Sequence, residues 1–89
     1  MLKKLNPIVK CADGSEFSIQ ASKHHYCEPR NDEGPYLSVE IYIKSPIPWE
    51  FSSEMYKYHD GAGVYAYVPM NLIRDLIKHH GGIIEGKLP

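Results

Sequence analysis

Residues 8–20 read IVKCADGSEFSIQ and decide the fold, because one turn separates two segments whose side chains alternate. A two-residue turn at Asp13-Gly14 would mix polar and apolar side chains on both faces of the hairpin. A three-residue loop with Gly14 in the left-handed conformation pairs Lys10 with Glu16 and keeps the two kinds of side chain apart. The sequence therefore predicts a hairpin in this second register. Its apolar face carries Val9, Cys11, Phe17 and Ile19, and its polar face carries Lys10, Glu16, Ser18 and Gln20.

Further strands are predicted downstream of the hairpin. Residues 36–44 alternate along their length and predict the most regular strand of the chain. Residues 64–68 predict another strand, and residues 83–84 a last short one. Residues 48–58 are compatible with a short helix or with an irregular flap. The inward side chains of the 36–44 strand are expected to be Leu37, Val39, Ile41 and Ile43.

One helix is predicted over residues 69–80. Pro69 suits the first turn, where its missing N–H removes no helical hydrogen bond. Gly81 supplies a left-handed residue directly after the last turn, and basic side chains precede it. The helix carries an apolar stripe of Leu72, Ile73, Leu76, Ile77 and His80.

These elements predict a single small α+β domain spanning residues 1–89. We expect an antiparallel β-sheet of four to five strands with one C-terminal helix packed on one face. The other face is then uncovered, and seven tyrosines in 89 residues make it aromatic. Its expected side chains are Ser18, Gln20, Tyr36, Ser38, Glu40 and Tyr42, with Tyr65 and Tyr67 if that strand has the same orientation.

Composition excludes several classes of function. A net charge of −1 provides no basic surface for a nucleic-acid backbone, so direct nucleic-acid binding is not expected. No apolar run is long enough to span a bilayer, and the first residues do not form a signal peptide. The protein is therefore expected in the cytoplasm, where Cys11 and Cys27 stay reduced.

Residues 23–36 read KHHYCEPRNDEGPY and hold the densest group of reactive side chains. His24, His25 and Cys27 form one half of a zinc motif, but structural zinc requires four converging ligands and no second half follows. No metal site and no cofactor are predicted, although these three residues are where a metal would bind. Cys27 as a nucleophile beside a histidine lacks an accompanying oxyanion hole.

Three stretches resemble a group of short proteins from bacteriophage and prophage accessory regions. They are ADG at 12–14 leading to SIQAS at 18–22, HYCEPR at 25–30, and VYAYVP at 64–69 with HGGI at 80–83. The resemblance spans most of the chain apart from residues 45–63. It carries over no catalytic or binding residues, but it implies an accessory protein that attaches to a host component. CRISPR effectors and other defence components are among the implied targets.

With this resemblance, the sequence is interpreted as a non-enzymatic, phage-encoded protein in the host cytoplasm. It is expected to bind, and to inhibit or modulate, a host protein or ribonucleoprotein complex. Residues 23–36 are expected to give specificity, with contact area from exposed tyrosines. Two alternatives remain: a metal- or thiol-dependent enzyme centred on Cys27 and His24/His25, and a homodimeric structural or regulatory module. The expected partner-binding residues are Tyr26, Arg30, Asp32, Glu33, Tyr36 and Tyr42.

Overall fold

The hairpin forms in the predicted register. In the computed structural model, which describes residues 5–44, 54–61 and 63–89, strands β1 (Val9–Cys11) and β2 (Glu16–Gln20) pair Val9 with Phe17. The Gly14 N–H donates to the Cys11 carbonyl at 2.9 Å. Gly14 has a φ of 91°, which a side chain would strain and glycine accepts. The three-residue loop is confirmed.

Three more strands complete one antiparallel sheet. They are β3 (Ser38–Ile43), β4 (Val64–Pro69) and β5 (Ile83–Glu85). The spatial order is β4-β3-β2-β1-β5. One helix, α1 (Met70–His79), follows β4 directly and packs on one face of the sheet. The predicted α+β class is confirmed.

Helix α1 ends for the predicted reason, whereas Pro69, predicted in its first turn, is the last residue of β4 and not part of α1. Pro69 immediately precedes it, and the N–H groups of Gly81 and Gly82 donate to the carbonyls of Lys78 and Ile77 at 3.1 and 3.0 Å. This is the Schellman pattern, which requires a left-handed residue such as Gly81 (φ 91°). Leu72 is partly buried against the core, and the rest of the predicted stripe is buried, namely Ile73, Leu76, Ile77 and His80.

The strand predicted at 36–44 starts two residues late, and this reverses two side chains. Leu37 was expected in the core but is 75% exposed, whereas Tyr36 was expected on the surface but is buried. The cause is hydrogen bonding to the preceding loop. The Tyr36 hydroxyl donates to the Asn31 carbonyl at 2.8 Å, and the Leu37 N–H donates to the Glu28 carbonyl at 2.7 Å. Tyr36 therefore cannot supply exposed contact area, and that prediction was wrong.

The face opposite α1 is less open than expected, because the N-terminal segment lies on it. The Asn6 N–H donates to Gln20 Oε1 at 2.7 Å, and Gln20 Nε2 donates back to the Asn6 carbonyl at 2.8 Å. Gln20 is consequently buried, and Ser38 is buried where it exchanges backbone hydrogen bonds with Glu28. Tyr65 pairs with Ile41 and so lies on the core face, where it packs partly buried. Of the expected open-face tyrosines, Tyr42 and Tyr67 are exposed.

The region between β3 and β4 is described in part. Residues 54–56 are helical, and Met55 is fully buried. A short helix or an irregular flap was predicted for residues 48–58, and residues 48–53 of that range lie outside the described residues. Within the described ranges, no helix has the length and apolar character needed to cross a membrane.

Candidate recognition surface

Loop 23–36 is hydrogen-bonded to the sheet at Tyr26 and Glu28. The Tyr26 N–H donates to Glu40 Oε2 at 3.1 Å, and the Tyr26 carbonyl accepts from the Tyr67 N–H at 3.0 Å. Two residues later, the Glu28 N–H donates to the Ser38 carbonyl at 3.2 Å. These bonds connect the loop to both β3 and β4, so Tyr26 is held by the backbone on both sides.

Tyr67 lies at an irregularity of β4. Val68 pairs with Val39 and Tyr65 pairs with Ile41, so two residues of β4, Ala66 and Tyr67, lie opposite one residue of β3. Such a bulge redirects a side chain. Tyr67 has a φ of 55°, the only positive φ at a non-glycine position among the described residues. A tyrosine adopts this conformation at a cost in free energy, which is typical of functional positions.

The bulge places the Tyr67 ring beside the Tyr26 ring, which also contacts Arg30. The ring centroids of Tyr26 and Tyr67 are 5.9 Å apart with the ring planes inclined by 37°. The Arg30 Cζ lies 5.3 Å from the Tyr26 ring centroid, within the range of a cation–π contact. Tyr26 and Tyr67 are 41% and 40% exposed, so both rings still offer surface. We call Tyr26, Arg30, Glu40 and Tyr67 the Tyr26 cluster.

Two polar side chains accept hydrogen bonds from backbone N–H groups within loop 23–36. Asp32 Oδ1 accepts from the Lys23 N–H at 3.0 Å, and Asn31 Oδ1 accepts from the N–H groups of Glu33 and Gly34 at 3.0 Å each. Asp32, predicted to contact a partner, thus already has a structural role. The Glu33 side chain is exposed, as that prediction requires.

A second aromatic group, formed by Tyr56 and His59, lies beside Tyr65 of β4. The His59 ring stacks on Tyr56 at 5.8 Å and contacts Tyr65 at 5.2 Å between ring centroids. The Ala66 N–H donates to the Tyr58 carbonyl at 2.8 Å, next to the bond between Tyr67 and Tyr26. The outer side of β4 therefore contacts both aromatic groups. Tyr67 was expected on the uncovered face if its strand had the same orientation, but it was not predicted as a partner-binding residue. Tyr56 and His59 were not predicted as partner-binding residues either, although the abundance of tyrosine was a signal.

The Cys27 thiol and the His25 ring are hydrogen-bonded to other groups and not to each other. The Cys27 thiol is buried and donates to the carbonyl of Ser22 at 3.2 Å and also contacts that of Pro29 at 3.4 Å. The His25 Nδ1 lies 2.6 Å from the Ser22 hydroxyl instead. Across the described ranges, no three His, Cys, Asp or Glu side chains are grouped as metal ligands. Burial, and next the Asp13 carboxylate, raises the pKa of the other thiol, Cys11.

Asp13, Ser15 and His80 resemble a catalytic triad in composition but not in geometry. His80 Nδ1 lies 2.6 Å from Asp13 Oδ2 and 2.8 Å from Ser15 Oγ, so both partners use the same ring nitrogen. A triad needs the acid and the hydroxyl on opposite nitrogens. His80 Nε2 is buried without a partner among the described residues. The Ser15 N–H, followed by His80, lowers the pKa of Asp13 to about 2.

This trio joins the β1–β2 loop to the end of α1. The Asp13 N–H donates to the His80 carbonyl at 3.2 Å, and the Ala12 N–H donates to the Gly82 carbonyl at 2.9 Å. His80 also packs edge-on against Phe17, with ring centroids 5.4 Å apart. We call Asp13, Ser15 and His80 the His80 cluster and assign it a structural role.

Comparison of the chain with protein-family models, curated proteins and solved structures finds no match.

Proposed function

We propose that this protein is a non-enzymatic binding protein that occupies a host macromolecule through loop 23–36 and the Tyr26 cluster. The observation that carries the proposal is the exposed pair of rings at Tyr26 and Tyr67. The backbones of these two residues are joined by the Tyr67 N–H bond to the Tyr26 carbonyl, and the Tyr26 N–H is bonded to Glu40. Rigid, amphipathic tyrosines lose little conformational entropy on binding, which suits a contact surface. Tyr42 and Glu33 extend this surface.

The alternative of a thiol-dependent enzyme has less support. A nucleophilic thiolate needs access to substrate and a base within hydrogen-bond reach. The Cys27 thiol is enclosed and directed at two backbone carbonyls, and His25 is hydrogen-bonded to Ser22. These contacts favour a structural role for Cys27.

The proposed partner class comes from the resemblance to phage accessory proteins. We propose a host protein or ribonucleoprotein complex in the host cytoplasm, with anti-phage defence components such as CRISPR effectors as the leading class, and inhibition as the outcome. Loop 23–36 carries both signs of charge, which favours specific pairing with one protein surface over general attraction.

Affinity capture with matched variants tests this proposal. Wild-type protein, Tyr26→Ala, Arg30→Ala and the control Arg74→Ala are immobilised and exposed to a bacterial host lysate. Arg74 is exposed on α1, so its removal controls for loss of an arginine elsewhere. We expect mass spectrometry to find a protein retained by wild type and Arg74→Ala but depleted on the other two. Equal retention on all four would contradict the proposal.

Self-association is the second candidate function, favoured by the position of β5. This strand forms one edge of the sheet, and Ile84 in it is 65% exposed. An exposed strand edge can pair with a second copy. Light scattering at increasing concentration should then give a dimer mass that Ile84→Lys returns to the monomer. A monomer mass for the wild type at every concentration would remove this candidate.

A further inference from the structure

We infer that the Tyr26 cluster recognises a carboxylate side chain, Asp or Glu, on the partner protein, with Arg30 as its anchor. This inference rests on the proposed function, because it names the chemistry of the same surface.

Two acids near Arg30, Glu40 and Asp32, accept hydrogen bonds from backbone donors. A third, Glu28, is exposed and forms no ion pair with Arg30 among the described residues. Glu40 Oε2 accepts from the Tyr26 N–H at 3.1 Å, and Asp32 Oδ1 accepts from the Lys23 N–H at 3.0 Å. Arg30 is exposed, and within the described residues its side chain has a ring contact with Tyr26 and neither a hydrogen bond nor an ion pair. Its N–H donors are therefore available to an incoming group.

The contact between Arg30 and the Tyr26 ring prepares the guanidinium for a planar anion. A guanidinium presents its donors in a fixed fork that matches a carboxylate with two parallel hydrogen bonds. Contact with the Tyr26 ring restricts the side chain before binding, so less conformational entropy is lost when the anion arrives. The hydroxyls of Tyr26 and Tyr67 add two further polar groups without a hydrogen-bond partner in the described part of the chain.

Local charge favours a single carboxylate over a phosphate backbone. Residues 23–36 contain two cationic side chains and three acidic ones, and Glu40 adds another acid beside Tyr26. A polyanion would be repelled by this surplus of negative charge, because affinity for a phosphate backbone requires several cations along it. One carboxylate pairs with Arg30 alone.

The conformation of Tyr67 supports a binding role for the cluster. The left-handed φ of 55° suits asparagine better than tyrosine, so local stability does not explain the residue. Its ring is instead placed next to Tyr26, whose ring Arg30 contacts. A flat or apolar side chain adjacent to the carboxylate would pack on these two rings.

Nitrogen-15 NMR of the full chain with two matched probes tests the inference. The probes are the blocked dipeptides acetyl-Phe-Glu-amide and acetyl-Phe-Gln-amide, which differ in charge and hardly in shape. We expect the Glu dipeptide to shift the amide signals of Tyr26, Arg30 and Tyr67 and to bind at least about fivefold more tightly than the Gln dipeptide. Arg30→Gln should abolish the difference, Arg30→Lys should reduce it, and Arg74→Ala should leave it unchanged.

Several results would overturn the inference. They are equal shifts with both dipeptides, no shifts up to the solubility limit of the Glu dipeptide, or a preference that survives Arg30→Gln. Binding of a thymidine oligonucleotide at the same signals would assign the cluster to nucleic acid instead. Equal shifts at the cluster combined with variant-dependent capture from lysate would remove the carboxylate and leave the proposed function standing.

Discussion

At one end of the sheet the β1–β2 loop is joined to the last turn of α1, and at the other end loop 23–36 is joined to β3 and β4. Both junctions combine backbone hydrogen bonds with an aromatic contact and a carboxylate. The His80 cluster places its imidazole in the interior, 4% exposed, whereas the Tyr26 cluster leaves two rings and a guanidinium at the surface. A closed junction of this kind stabilises the fold, and an open one is available to a partner.

The largest expected difference between the two junctions is in stability. His80→Ala removes a buried ring together with its hydrogen bonds to Asp13 and Ser15, and should lower the free energy of unfolding by about 3 kcal/mol. His24→Ala, at an exposed position of the other junction, should change it by less than about 0.5 kcal/mol. Urea unfolding measures both. A similar loss of unfolding free energy in the two variants would contradict the different roles assigned to the two junctions.

The next largest effect is expected in binding. Tyr26→Ala and Arg30→Ala should each weaken the complex with the captured partner by about 2 kcal/mol, roughly 30-fold, because aromatic and arginine anchors dominate interfaces. Both variants should keep their urea midpoint within the error of the wild-type value. Titration calorimetry gives the binding change. Weakened binding that tracks lost stability would instead make the Tyr26 cluster structural.

Substitution of the left-handed residue should destabilise the fold at the His80 junction and have little effect on stability at the Tyr26 junction. Gly81→Ala puts a side chain at φ 91° and 3.0 Å from the Ala12 Cβ, and should cost about 1–2 kcal/mol. Tyr67→Asn replaces a strained residue by one that adopts this conformation more readily, so the unfolding free energy should stay within about 1 kcal/mol of wild type. Thermal and urea unfolding compare the two. A larger loss from Tyr67→Asn would contradict a binding role for its conformation.

The smallest effect is the acid response of the His80 cluster. The pKa of Asp13 is lowered to about 2 from 3.8, so its ionised form is favoured in the folded state. The resulting stabilisation is complete above pH 3.8 and is lost as pH falls through about 2. The difference in stability between wild type and Asp13→Asn should therefore shrink between about pH 4 and pH 2. A difference that stays constant across this window would remove Asp13 as the cause.

The hairpin and α1 could be predicted because short-range rules determine them. Alternation selected the register that pairs Val9 with Phe17, and a proline and a glycine bounded the helix. The burial of Tyr36 could not be predicted in the same way, since it depends on a hydrogen bond to Asn31 inside an irregular loop. Gln20 is likewise buried by a contact with Asn6, fourteen residues away.

Only part of the candidate site could be predicted, because the rest depends on contacts between residues that are distant in the sequence. Tyr26 and Arg30 belong to a single loop whose composition is conspicuous, so they could be named from the sequence. Tyr67 joins them through a bulge opposite Glu40 and a bond to the Tyr26 carbonyl. Strand periodicity contains no information about either feature, because a bulge breaks the alternation on which the prediction depends.

Parallel measurement of partner binding and unfolding free energy for Tyr67→Asn tests the central claim most directly. The account predicts weaker binding at nearly wild-type stability, because the tyrosine is held in a costly conformation for the sake of its exposed ring. Wild-type binding together with a marked loss of stability would contradict it.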